Sequence, residues 1–159
     1  MLKVKLITVG TLKEDYLRAG IDEYTKRLSA FGRVQIHELK EVRVANEDDA
    51  TAISRALESE AEKILPKLAP DAYKIALCVE GTQYDSVTLA SVLEKGGAHS
   101  GKIALVIGSS HGLAESVKRA CDLRLSVSKL TFPHQLMRFM LMEILYRSLS
   151  INAGKRYHK

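Results

Sequence analysis

The chain has 159 residues with 24 Lys+Arg, 19 Asp+Glu and a formal net charge of +5, a length that suits one domain with a real core and is short for two. Its longest apolar runs, such as Ile75-Ala76-Leu77-Cys78-Val79, span about five residues, far below the roughly 20 of a membrane helix. Met1–Gly10 lacks the apolar stretch and cleavage site of a secretory leader, so the expectation is a single cytoplasmic domain over residues 1–159 with no membrane partner.

Val4–Val9 is a strand pattern that carries Lys3 and Lys5 at its start, and Glu14–Ala30 follows with helical spacing. Val34–Ile36 is the second strand candidate. Arg43–Asp49 reads as a flexible linker in which Asn46–Asp49 caps a helix over Glu47–Leu65, closed by Pro66 and Pro70. Then come a strand over Tyr73–Val79, a helix over Ser86–Glu94, a strand over Ile103–Ile107, a helix over Leu113–Ala120, a strand over Leu123–Val127 and a last helix over Pro133–Asn152. Strands alternating with helices predict an α/β fold, a mainly parallel sheet flanked by helices. Cys78 and Cys121 have no CxxC spacing and read as inert buried thiols, His37 and His99 read as structural, and no metal site is expected.

The last helix is apolar around most of its circumference, with Leu136, Met137, Phe139–Met142, Ile144, Leu145, Leu149 and Ile151. Such a helix wants burial on several sides. A second copy of the chain would cover the side the sheet does not, so a homodimer is expected, the alternative being a central core helix in a monomer. Residues 1–128 hold 18 cations and 18 carboxylates, while residues 129–159 hold 6 and 1, so the whole net charge sits at the carboxyl end. That asymmetry suits a polyanion, because each cation that neutralises a phosphate releases a counterion.

Two loops follow strands. In Val106–Leu113 the glycines leave backbone N–H groups free to meet a ligand at a strand's carboxyl end, the usual nucleotide position of an open α/β sheet. The loop matches neither G-x-G-x-x-G nor a P-loop, and a simple tight turn is the plain alternative. Gly108-Ser109-Ser110-His111-Gly112 also fits the G-x-S-x-G elbow of serine hydrolases, with Ser110, Asp122 and His134 in triad order, although no HGGG-type oxyanion loop precedes it. The second loop, Ser126–His134, ends at Pro133, which suits a helix start. On the helix that follows, His134 and Arg138 share one face, while Glu143 and Arg147 pair on nearly the opposite one, either as a structural ion pair or as part of a site. Tyr157, His158 and Lys159 then offer a π face, an imidazole and a cation in a row, on a terminus that would ordinarily fray.

Four stretches, Ile103–Leu113, Leu125–Arg138, Glu143–Arg147 and Gly154–Lys159, closely resemble the RlmH family of ribosomal RNA methyltransferases, and Leu6–Thr11 and Glu23–Arg27 extend the resemblance over the whole chain. It implies a SPOUT-type α/β fold with a deep carboxyl-terminal trefoil knot, an obligate homodimer, and S-adenosylmethionine as cofactor. The implied activity is methylation of N3 of a pseudouridine in a stem-loop of 23S ribosomal RNA, on the assembled ribosome. The implied cofactor pocket is lined by Leu77, Gly108, Val127, Ser128, Lys129, Leu130, Thr131 and Phe132. Transfer from the sulfonium requires alignment of the attacking nitrogen and loss of its imide proton. The family's catalytic end maps to Glu143, Arg147, Tyr157, His158 and Lys159. Arg147 or Lys159 would stabilise the anionic base, His158 would handle the proton and Tyr157 would stack on the base. Arg138, Lys155 and Arg156 would hold RNA phosphates. The alternative is a knotted RNA- or ribosome-binding protein without catalysis. Ser109 stands where the family loop Gly-Gly-x-x-Gly has its second glycine, a departure that matters only if that position needs positive φ.

Overall fold

The computed structural model describes residues 1–158. Chain order is β1 (Leu2–Val9), α1 (Asp15–Leu28), β2 (Gly32–Leu39), α2 (Ala50–Ile64), β3 (Tyr73–Thr82), α3 (Ser86–Gly97), β4 (Lys102–Ile107), α4 (Glu115–Arg119), β5 (Leu123–Leu125) and α5 (His134–Asn152). The strands form one sheet in the order β2-β1-β4-β3-β5, with every neighbouring pair parallel. The period of two along each strand divides the core. Val4, Leu6, Ile75, Ile103 and Leu105 meet α1, α3 and α5 on one face, while Ile7, Val9, Ala76, Ala104 and Val106 meet α2 and α4 on the other.

Local signals set the element ends. The Asp49 carboxylate accepts from the N–H groups of Thr51 and Ala52 at 3.0 and 3.1 Å, and Asp85 accepts from that of Thr88 at 2.7 Å, which satisfies donors that a helix start leaves open. At Gly20 of α1 an added Cβ would lie 2.4 Å from the Phe139 ring, so only glycine lets α1 and α5 approach this closely. Leu141, Met142, Leu145 and Leu149 of α5 are buried, and Leu136, Phe139, Ile144 and Tyr146 pack at the rim of the same core. One chain thus already covers much of this helix.

Strand β3 runs three residues past the predicted end, because Leu125 pairs with both Leu77 and Thr82 and the residues between bulge away. The Ser126 N–H then donates to the Thr82 carbonyl at 2.9 Å, which turns the chain off β5 after three residues. Among the described residues, no helix is long and apolar enough to cross a membrane, and no group of three His, Cys, Asp or Glu side chains is placed to hold a metal.

Candidate active site

A cavity of about 660 Å³ opens at the carboxyl ends of β3, β4 and β5, within the range of small-molecule sites. Three stretches wall it: Leu77–Glu80, Ile107–Leu113, and the chain from Leu125 into the first turn of α5 at His134 and Met137. Seven predicted lining residues are there, namely Leu77, Gly108, Val127, Ser128, Leu130, Thr131 and Phe132. Lys129 is exposed to solvent between Ser128 and Leu130 and is not part of the wall.

The glycine loop has two separate reasons for its glycines. A Cβ on Gly108 would stand 2.1 Å from the Gly112 carbonyl oxygen, and Gly112 itself has φ +89°. Ser109 shows no such demand, since no non-glycine among the described residues has positive φ. Its hydroxyl donates to Glu60 Oε1 at 3.0 Å, while Glu60 Oε2 accepts from the Val42 N–H at 2.9 Å. Glu60 is only 3% exposed. Next to it, the Ser110 hydroxyl donates to Glu41 at 3.2 Å. Two serine–carboxylate bonds therefore tie the loop to α2 and to the segment after β2. Sequence reasoning missed Glu60, which sits among charged neighbours; the available signal was its i±4 spacing from Ala56 and Ile64, both buried.

The facing loop is held by its own serines. Ser126 Oγ donates to the Ser128 carbonyl at 3.1 Å, and the Leu130 N–H donates to Ser128 Oγ at 3.0 Å. At the rim, Lys118 binds Glu80 and holds its carboxyl below the usual range. Cys78 lines the wall, and burial pushes its thiol up.

Four of the five predicted catalytic residues form one cluster. Glu143 Oε1 accepts from Arg147 Nη2 at 2.8 Å and Nε at 3.2 Å, and from the Tyr157 hydroxyl at 3.1 Å. Arg147 also lies 4.8 Å from the centre of the Tyr157 ring, which meets Tyr146 edge to face at 4.7 Å. Arg147 Nη1 and His158 Nδ1 are 3.1 Å apart. A guanidinium only donates, so Nδ1 accepts and the ring proton sits on Nε2. The Tyr24 phenol, burial and the Glu143 carboxylate push the Tyr157 phenol up to about 12, which keeps it a donor. The end of the chain through His158 is thus folded back onto α5 where fraying was expected; Lys159 lies outside the described residues.

Arg138 overturns its predicted RNA role. It is 1% exposed, its Nη2 donates to the Gly10 carbonyl at 3.1 Å, and its Nη1 lies 3.6 Å from Glu38, so it braces the turn after β1 and cannot reach a phosphate. Lys155 and Arg156 are exposed, with Lys155 Nζ 4.4 Å from the centre of the Phe31 ring. The hydrolase triad does not assemble: Ser110 donates to Glu41, and Asp122 accepts from the Lys74 N–H at the opposite ends of the strands.

A parallel sheet with helices on both faces, and a loop-walled cavity at its carboxyl edge, define a ligand-binding α/β enzyme domain. The family model described as "Predicted SPOUT methyltransferase" matches residues 2–158. Over 159 residues the chain is 42% identical to the Ribosomal RNA large subunit methyltransferase H of Bacillus pumilus (strain SAFR-032), covering 99% of this chain and 100% of that one. Its fold resembles the Bordetella pertussis Tohama I protein called "Probable Methyltransferase", with a TM-score of 0.57, 14% identity, and coverage of 93% of this chain and 95% of that one. A Legionella pneumophila structure with bound SAM matches at a TM-score of 0.51 and 15% identity, over 95% of this chain and 66% of that one. The chain belongs to the SPOUT methyltransferase family.

Proposed function

We propose that this chain is a S-adenosylmethionine-dependent methyltransferase that acts on N3 of a pseudouridine in 23S ribosomal RNA of the assembled ribosome, working in the cytoplasm as a homodimer. The observation that carries the reading is the meeting of the glycine loop and the Ser126–Phe132 loop as two walls of one cavity. The residues fit the cofactor: Gly108 and Gly112 keep side chains out of the loop's tightest approach, and Leu77, Leu125, Val127 and Phe132 supply an apolar wall beside backbone polar groups. Once bound, the cofactor supplies an electrophilic methyl group on a sulfonium.

The chain's own residues hold the base and manage its proton. Glu143 lies nine residues past His134, about 14 Å along the helix and half a turn round, so the cluster of Glu143, Arg147, Tyr157 and His158 stands across α5 from its own cavity. That placement supports a site shared between two copies, the tail of one closing over the cavity of the other. Arg147, anchored by Glu143, and Lys159 would stabilise negative charge on the deprotonated base, His158 would take the imide proton at Nδ1 once that atom exchanges the Arg147 N–H for the base, and Tyr157 would hold the base by its ring. Lys155 and Arg156 would bind flanking phosphates. The trefoil knot belongs to this proposal; supporting it is the family match over residues 2–158.

Radiolabelled methyl transfer to intact ribosomes, separate subunits and naked RNA tests the reading, followed by mapping of the labelled base. One labelled pseudouridine on ribosomes is expected. Donor binding without transfer would favour the RNA-binding alternative, and loss of transfer on deletion from Tyr157 with unchanged donor affinity would support the shared site.

A further inference from the structure

The amino-terminal ends of the strands carry a second basin that the donor site does not use. Its volume is about 280 Å³. In the sheet register Lys3 stands directly opposite Arg33 on one side and Lys102 on the other, so three cations lie abreast on the face that carries α2. Lys5 sits on the next rung, and Ala69, Ala72 and Ala104 complete the basin with side chains too small to fill it. Helix α2 ends at Ile64 and leaves these first rungs open.

Like charges directly opposite on neighbouring strands repel, and little here offsets them. Asp71 pairs with Lys102 at 2.6 Å, but among the described residues neither Lys3 nor Arg33 has an acidic partner. Lys5 Nζ donates to the Lys67 carbonyl at 3.1 Å, which keeps a further cation at the edge. Lys3 and Arg33 are exposed. Burial, and then the charges of Lys5 and Lys67, pull the pKa of neighbouring His37 down, as expected in a positive field.

We infer that the Lys3–Arg33–Lys102 row is a second RNA-backbone contact, at which ribosomal phosphates supply the negative charge the fold leaves out. Counting six residues along β4 from Lys102 to Gly108 at about 3.3 Å each puts it about 20 Å from the donor cavity, so it serves docking of a large RNA and takes no part in transfer. The inference rests on the proposed action on ribosomal RNA. Its ligand class is a phosphodiester backbone read by charge, without base specificity.

The test compares wild type with the Lys3→Gln/Arg33→Gln double variant and with Arg33→Glu. Affinity for intact ribosomes is measured across a salt series, with donor affinity by calorimetry and Tm as controls. Each lost phosphate contact lowers the slope of log K against log salt by about one, so the double variant is expected to lose one to two units of slope and to bind several-fold more weakly. Donor affinity should hold and Tm should stay level or rise, because a repulsive row has been relieved. A folded double variant with the wild-type slope overturns the inference alone. Wild type that shows no salt-dependent affinity for ribosomes overturns this inference and the proposed substrate together. Displacement by polyglutamate as effective as by RNA assigns the row to an acidic protein and also overturns it.

Discussion

Ser109→Ala removes the one hydroxyl that reaches buried Glu60 from the donor loop. Hydrogen bonds to charged groups contribute about 1.5–3 kcal/mol, and a buried acceptor left without its donor bears a desolvation penalty of similar size. A loss of about 2 kcal/mol is therefore expected, or about 4–8 °C in Tm for a chain of this length. Glu60→Leu keeps a similar volume but removes the acceptor of both the Ser109 hydroxyl and the Val42 N–H, so its cost should be at least of the same order. Because the two residues share one bond, the Ser109→Ala/Glu60→Leu double variant should cost less than the sum of the single ones, with a coupling of about 1–2 kcal/mol. Urea denaturation at fixed protein concentration measures the cycle, and calorimetric donor titration of each variant measures the loop. If about 1.4 kcal/mol of the loss falls on loop position, donor affinity drops about tenfold. Single variants within about 0.3 kcal/mol of wild type, or strict additivity, would refute the idea that this bond sets the loop.

Gly108→Ala drives a methyl against the Gly112 carbonyl, and overpacking of this kind costs about 1–3 kcal/mol; donor titration should show a loss of at least about tenfold while circular dichroism stays native. Tyr157→Phe should lower transfer without altering the shape of its pH profile between pH 6 and 10, because the phenol is pushed up to about 12; an alkaline limb that vanishes in the variant would contradict this. Lys102, Lys118, the Thr88 N–H and Arg124 hold the carboxyls of Asp71, Glu80, Asp85 and Glu115 below their ordinary values of 3.8 to 4.5. The unfolded chain then binds protons more readily than the folded one, so their stabilisation is full at neutral pH and is lost as acid takes the pH down through that range. Thermal melts from pH 7 to pH 3 should show a decline confined to the acid end. Burial pushes the Cys121 thiol up to about 11 and that of Cys78 upward too; alkylation at pH 8 should be slow at both, and donor binding should slow it further at Cys78 alone, read by mass spectrometry.

Every strand and α-helix was legible as a period of apolar residues, since all the strands are buried on at least one face. Boundaries were less so. The extension of β3 to Thr82 comes from its double pairing with Leu125, a tertiary effect that no local pattern carries. The meeting of the two loops at one cavity was readable because a glycine loop after a parallel strand has a restricted position, whereas nothing local set Lys129 apart from its neighbours as exposed, because an irregular loop has no period from which to tell inside from outside. Arg138 was misread for a different reason. Charge normally means surface, and nothing local to residue 138 announces that the Gly10 carbonyl and Glu38 come to meet it. The tail cluster was visible as residue types but not as a folded unit, because its order depends on Glu143 gathering Arg147 and Tyr157 from both sides.

The earliest residue to touch the donor cavity is Leu77 and the last is Met137, whereas β1, the strand on which β4 must lay itself, is complete by Val9. During translation a nascent chain can therefore assemble its amino-terminal scaffold and still own no binding site. Competence arrives in one step, once α5 has left the exit tunnel and closed the far wall, so a prematurely terminated product would be inert toward the donor.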